Sequence, residues 1–282
     1  MAVIASVCLL ALPACSLNDL SVRMSSVFID YKIDSLNSED DLKKVKQQLP
    51  ENIELLEQML ALDAQNKKLH IYAAQAYYSY AFAFIEDSNK QRATTLYFKS
   101  YQHAAAALAM HNVLVADLQG RSPALRKKTR RLKKDAVDAL YWTAVSWAKL
   151  IEIKQPDLLM FSQLHKTAIL MEQVIKLDES YQLGGPHLFF GVYYGGRSSF
   201  LGGNDRLAGQ YFEQARELNQ DRLLLVDYLQ AKYLNGRVNG GKKYTQRLRN
   251  IVKAPNDLYP EQALMNAVVK HKASLLLSRS QF

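Results

Sequence analysis

Apolar side chains recur along most of this chain at the three- and four-residue spacing of amphipathic helices. Asp205–Leu218 shows this pattern most clearly, and Asn204 before it is a suitable N-cap. Leu69–Phe84 is apolar on nearly all sides, which predicts a buried helix. Because strand-like alternation is scarce, the pattern predicts an all-α fold. The other predicted helices are Arg92–Met110, Asp135–Ile153, Gln163–Leu177, Pro186–Gly195, Lys242–Val252 and Glu261–Leu277.

A short motif, which begins with Glu-Gln and ends in Asp or Asn, recurs at Glu57–Asp63, Glu172–Asp178 and Glu213–Asn219. Each copy has the pattern of the last turns of an amphipathic helix, and a tyrosine-rich helix follows it after a short break. The spacing of the second and third copies suits a helix hairpin. We therefore predict a tetratricopeptide-like helical hairpin solenoid over residues 46–282, preceded by a polar tether at 15–45.

The chain begins with an apolar run, Met1–Cys15, that is too short to span a bilayer. Its end, Leu12-Pro13-Ala14-Cys15, resembles the lipobox of bacterial lipoproteins. We interpret residues 1–14 as a lipoprotein signal peptide and Cys15 as the acylated residue that anchors the protein to a membrane. By analogy with lipoprotein sorting, Ser16 favours the outer membrane, facing the periplasm. The run contains no Lys or Arg, and the alternative is an ordinary buried N-terminal segment.

Positive charge is concentrated in one segment of the chain. Arg121–Lys134 contains eight basic residues and no acidic one, so that the net charge of +9 falls to +1 (9 − 8) for the rest. The run is either a solvated helix or loop, or a contact for anionic headgroups or an acidic protein. Nucleic acid is a poor candidate for an exported protein, and no aromatic residue interleaves the run.

Eight of the twelve glycines lie between Gly184 and Gly209. The segment contains Gly-Gly-Pro-His at 184–187, Gly-Val-Tyr-Tyr at 191–194, Leu-Gly-Gly-Asn at 201–204 and Ala-x-x-Tyr-Phe-Glu-x-Ala at 208–215. Together with the alanine- and tyrosine-rich helix at 73–87, these motifs resemble the T component of TRAP transporters, the TatT family. The resemblance implies a periplasmic lipoprotein that forms a homotrimer with a central pore. It also implies association with the substrate-binding P component of a sodium- or proton-driven importer.

The sequence offers no recognisable catalytic or metal-binding constellation. No HExxH motif accompanies the scattered histidines His103, His111 and His165, and no G-x-S-x-G motif is present. We interpret the carboxylate pair Glu86-Asp87 as a solvated helix end. Cys8 would leave with the signal peptide, so no thiol remains for chemistry beyond Cys15. We therefore expect a protein that is not an enzyme and that needs no cofactor or metal.

Tyrosines on the inner helices are either core residues or the lining of a pore or groove for an apolar or amphipathic ligand. His187 either packs at the Gly-Gly-Pro turn or lines the same pocket. Our candidate ligand-binding residues are Tyr77, Tyr78, Tyr80, His187, Tyr193 and Tyr194.

Two functions remain open on this basis. The first is an accessory lipoprotein of a TRAP-type importer that passes a small organic ligand of hydrophobic character to or from a substrate-binding protein. The alternative is a tetratricopeptide scaffold lipoprotein that binds peptide segments of envelope proteins. Such scaffolds read peptides through Asn, Lys and Arg, whereas the inner helices here are rich in Tyr, Ala and Gly, which favours the first function.

Overall fold

The computed structural model describes residues 35–154, 157–235 and 241–279. Over these ranges the chain is helical with turns and contains no strand, which confirms the predicted all-α fold. The predicted signal peptide at 1–14, Cys15 and most of the tether lie outside the described residues. None of the described helices combines the length and the apolar character needed to cross a membrane.

The α-helices are numbered here in chain order. They are α1 (Leu42–Leu62), α2 (Lys67–Tyr80), α3 (Lys90–Ala109), α4 (Val115–Gln119), α5 (Ser122–Thr129), α6 (Val137–Ile153), α7 (Leu158–Phe161), α8 (Leu164–Asp178), α9 (Tyr181–Gly195), α10 (Asp205–Leu218), α11 (Leu225–Gln230), α12 (Lys242–Lys253) and α13 (Ala263–Arg279). Short 3₁₀ turns occur at Lys134–Ala136, Ser199–Leu201 and Pro260–Gln262.

The helices pack as sequential hairpins, as the repeat predicts. Contacts join α1 to α2, α2 to α3, α3 to α6, α6 to α8, α8 to α9, and α9 to α10, while α12 pairs with α13. Close approach of α3 to its neighbours is possible because Ala104 and Ala107 are completely buried and small.

Side-chain caps fix several helix ends where the sequence places them. Asn204 accepts a hydrogen bond from the Leu207 N–H at 3.0 Å and starts α10 at the predicted residue. Asp63 follows the last residue of α1, and α8 ends at Asp178, in agreement with the predicted repeat. Asp41 caps α1 in the same way, so this helix begins within the segment that the sequence analysis assigns to the tether.

The glycine-rich segment brings α9 against α10. The first turn of α9 is interrupted by a left-handed kink at residues 182–184, in which Gly184 has a φ of 86°. Gly191 then faces Phe212 of α10, and a Cβ at this position would lie 2.8 Å from the Phe212 ring. Glycine is therefore required at position 191 for the two helices to approach this closely.

Two helices of the fold end in π-helical turns that the periodicity does not predict. The segment predicted as one helix over Leu69–Phe84 is α2 followed by a π-helical turn at Ala81–Ile85. A second π-helical turn, Ala231–Asn235, continues α11. Such turns are frequent at functional sites, and side chains of both contribute to the cavity described next.

Candidate functional site

A cavity of about 460 Å³ lies between the helices. Side chains of α1, α2, α6, α7, α8, α9, α11 and α13 and of the two π-helical turns contribute to its wall. Most of these side chains are aliphatic or aromatic. The volume falls in the range of about 300–1,000 Å³ that is typical of small-molecule sites.

One side of the cavity is an aromatic wall contributed by α2 and α6. The ring of Trp142 lies between Tyr78 and Tyr141, with centroid distances of 5.6 Å and 5.3 Å. Burial raises the pKa of both tyrosines above the ordinary value, so both remain neutral. Neither hydroxyl bonds to any residue within the described ranges, so both can donate a hydrogen bond to a ligand.

Helix α9 contributes a second aromatic element. The guanidinium of Arg197 stacks over the ring of Tyr193, with its central carbon 3.8 Å from the ring centroid. Arg197 Nε also donates a hydrogen bond to the Tyr193 carbonyl oxygen at 2.7 Å. Both side chains line the cavity, and together they provide an apolar face and one positive charge.

Lys149 and Glu152 of α6 add an ion pair to the wall. The Lys149 ammonium lies 3.0 Å from Glu152 and 3.1 Å from Glu86. The Tyr233 hydroxyl donates a hydrogen bond to Glu152 at 2.6 Å. Burial disfavours the charged form of Lys149, but Glu152, Glu86 and the surrounding groups outweigh it and hold its pKa well above the ordinary value.

Behind this wall the ion pairs continue into the core. The Lys272 ammonium of α13 lies 2.9 Å from Glu86, contacts Asp87 and donates a hydrogen bond to the Phe82 carbonyl oxygen at 2.8 Å. Burial would raise the pKa of Glu86, but nearby cations, Lys149 first, outweigh it and lower this pKa to about 2. The interpretation of Glu86-Asp87 as a solvated helix end is therefore wrong, because Glu86 is only 7% exposed and cations from α6 and α13 enclose it.

Two of the six candidate residues, Tyr78 and Tyr193, lie in the cavity wall. Tyr77 instead donates a hydrogen bond to Glu57 of α1 at 2.7 Å. Tyr80 lies beside Arg92, whose guanidinium donates to the Tyr80 hydroxyl at 3.3 Å.

The other two candidates pack between α9 and α10. Tyr194 stacks on Tyr211 with ring centroids 5.8 Å apart. His187 is 4% exposed, and its Nδ1 lies 3.1 Å from the Gln214 side-chain oxygen. Both side chains therefore pack outside the cavity wall. Of the six candidates, only Tyr78 and Tyr193 are expected to contact a ligand directly.

Sequence reasoning misses several residues of the wall, namely Tyr72, Tyr141, Trp142, Lys149, Glu152, Arg197 and Tyr233. Trp142 is recognisable in the sequence as a residue of a buried helix face. Nothing local distinguishes Lys149 and Glu152 from an ordinary i, i+3 surface pair, because their burial depends on helices distant in the sequence.

The arrangement suits non-covalent binding of a small molecule. Among the described residues no group of three or more His, Cys, Asp or Glu side chains could hold a metal ion. The polar groups at the wall include the Lys149–Glu152 ion pair, the Arg197 guanidinium and tyrosine hydroxyls, which can orient a ligand that the aromatic and aliphatic side chains enclose.

Comparison with known protein families identifies the family of this chain. A family model described as the TRAP transporter T-component (TAtT) matches residues 38–282, which include all of the helices α1 to α13. A search of curated proteins found no match to the chain.

Proposed function

Because this chain belongs to the TRAP transporter T-component family, we propose that it holds a small organic ligand in its cavity and exchanges it with a substrate-binding protein. Members of this family are accessory proteins of transporters and not enzymes, and membership implies association with TRAP transporter components.

The observation that carries the proposal is the cavity, with a wall that is mostly apolar. A ligand with an aromatic or aliphatic body would cover this wall and gain about 25 cal/mol for each Å² of apolar surface removed from water. The hydroxyls of Tyr78 and Tyr141 would donate hydrogen bonds to an acceptor on that body. Binding and release then need no covalent step.

The location and assembly in the proposal come from the sequence and the family resemblance. Acyl chains on Cys15 would anchor the protein to the outer membrane, where it would face the periplasm and a P-type substrate-binding protein. The proposed assembly is a homotrimer. The alternative of a peptide-binding scaffold has no specific support, because the candidate site is an aromatic cavity within the bundle.

Titration with the neutral fluorescent probe N-phenyl-1-naphthylamine tests the cavity as the binding site. We expect residues 16–282 to bind about one probe per chain. Ala148 lies in the cavity wall, so Ala148→Trp places an indole ring where the ligand would lie, and we expect at least about ten-fold weaker binding.

The matched control is Ala61→Trp, because Ala61 is exposed on α1. This variant should bind the probe as the unaltered chain does, and circular dichroism of both variants verifies the fold. Equal probe binding by Ala148→Trp and Ala61→Trp, with both folded, would show that the cavity is not the site and would refute the proposal.

A further inference from the structure

A surface formed by α4, α5 and the connection to α6 carries a concentrated positive charge. Three of its eight basic residues are neutralised: Lys128 lies 2.6 Å from Asp117, Lys134 lies 3.1 Å from Asp178, and Arg126 pairs with Glu172. The other five are exposed and form no ion pair with any residue that the structure describes. These five are Arg121, Lys127, Arg130, Arg131 and Lys133.

The core holds this segment in place. Leu125 and Thr129 lie one helical turn apart in α5, and they are 0% and 1% exposed. Through this narrow stripe α5 packs against α8. Because only the stripe is buried, the remaining sides of the helix present their cations to solvent.

Two exposed apolar side chains lie at the start of α4, the short helix that precedes α5. Leu114 is 52% exposed and Val115 is 43% exposed. The Asp117 carboxylate accepts hydrogen bonds from the Leu114 N–H at 2.8 Å and from the Lys128 ammonium at 2.6 Å. The shared carboxylate therefore joins the start of α4, where the apolar pair lies, to the basic helix α5. We call Leu114, Val115 and the five unpaired cations the basic surface.

We propose that the basic surface binds the anionic lipid headgroups of a membrane. Each Lys or Arg near an anionic bilayer strengthens binding by about five-fold. Leu114 and Val115 would enter the boundary between headgroups and acyl chains, as apolar residues of interfacial helices do. An acidic protein could also neutralise the cations, but it would need an apolar patch of matching shape to cover Leu114 and Val115. A bilayer needs no such patch, because its acyl chains accept apolar side chains of any arrangement.

The proposed interaction complements the predicted acylation of Cys15. The acyl chains on Cys15 would already give stable anchoring, so the basic surface would act on how the anchored protein meets the bilayer. The surface would orient the protein, because α5 packs against α8 and would place one side of the helical array against the bilayer.

Vesicle sedimentation of residues 16–282, which carry no acylated Cys15 and include every described residue, tests the proposal. The vesicles contain either 30% phosphatidylglycerol in phosphatidylcholine or phosphatidylcholine alone. We expect binding only to the anionic vesicles, with a loss of affinity when salt rises from 0.1 M to 1 M. Lys127→Gln with Arg131→Gln should lower the partition coefficient by about 25-fold.

The matched control is Lys243→Gln with Arg249→Gln, which removes the same charge from exposed positions of α12. This variant should lose far less affinity. Absence of binding to anionic vesicles would overturn the proposal, and so would equal losses in the two double variants. If the chain ignores vesicles and the Lys127/Arg131 variant instead loses a complex with an acidic TRAP component, the surface is a protein contact and the proposal is wrong.

Discussion

Substitution of Lys272 by Met tests whether the buried ion pairs hold the two ends of the array together. The Lys272 side chain is 1% exposed, and its ammonium joins α13 to Glu86, Asp87 and the Phe82 carbonyl of the π-helical turn after α2. Methionine keeps a stem of similar length but removes the charge. Glu86 would then lose one of its cations inside the protein.

The expected loss of unfolding free energy depends on the partners that Glu86 keeps when Lys272 is replaced. Removing one partner of a buried ion pair costs about 3–5 kcal/mol. Glu86 keeps the Lys149 ammonium at 3.1 Å and the Tyr97 hydroxyl, which donates a hydrogen bond at 2.6 Å. These contacts place the expected loss at the lower end, about 3 kcal/mol, which corresponds to a fall in Tm of about 6–12 °C for a chain of this size.

Thermal unfolding followed by circular dichroism measures this fall. The control is Lys243→Met, which removes the same charge from an exposed position of α12 and should change stability by less than about 0.5 kcal/mol. A fall in Tm for Lys272→Met that does not exceed that of the control would refute the reasoning, because the buried cation would then contribute nothing measurable.

Two further predictions concern packing and pH. Gly191→Ala should lower the free energy of unfolding by about 1–3 kcal/mol, because the added methyl meets the Phe212 ring. In contrast, Gly209→Ala in α10 meets no atom within 4 Å and should leave stability unchanged or raised in the same melts; equal effects would contradict the packing argument. The lowered pKa of Glu86, about 2 against an ordinary 4.5, contributes stability above pH 4.5 that is lost as pH falls towards 2. Glu86→Gln should therefore flatten the pH dependence of unfolding over this interval, and an unchanged slope would contradict the assignment.

Regular helices with capping residues are the part of the fold that the sequence predicts well. α10 begins and ends at the predicted residues because Asn204 caps it and its apolar stripe is continuous. The short helices α4, α7 and α11 contain four to six residues each. This length is too short for helical periodicity to be recognised.

The cavity could be predicted only in part. The sequence indicates tyrosines on inner helices, but adjacent tyrosines such as Tyr77 and Tyr78 point in directions about 100° apart, and the neighbouring helices decide which one meets the cavity. The burial of Glu86 could not be predicted locally, because Lys272 lies more than 180 positions away along the chain.

Native mass spectrometry of residues 16–282, purified from its own periplasm without detergent, tests the central claim most directly. The unaltered chain and Ala61→Trp should both carry the same bound organic molecule, and Ala148→Trp should not carry it. The mass of that molecule would identify the ligand class. An unaltered chain without any bound molecule, or an Ala148→Trp variant that retains it in full, would contradict the claim that the cavity holds the ligand.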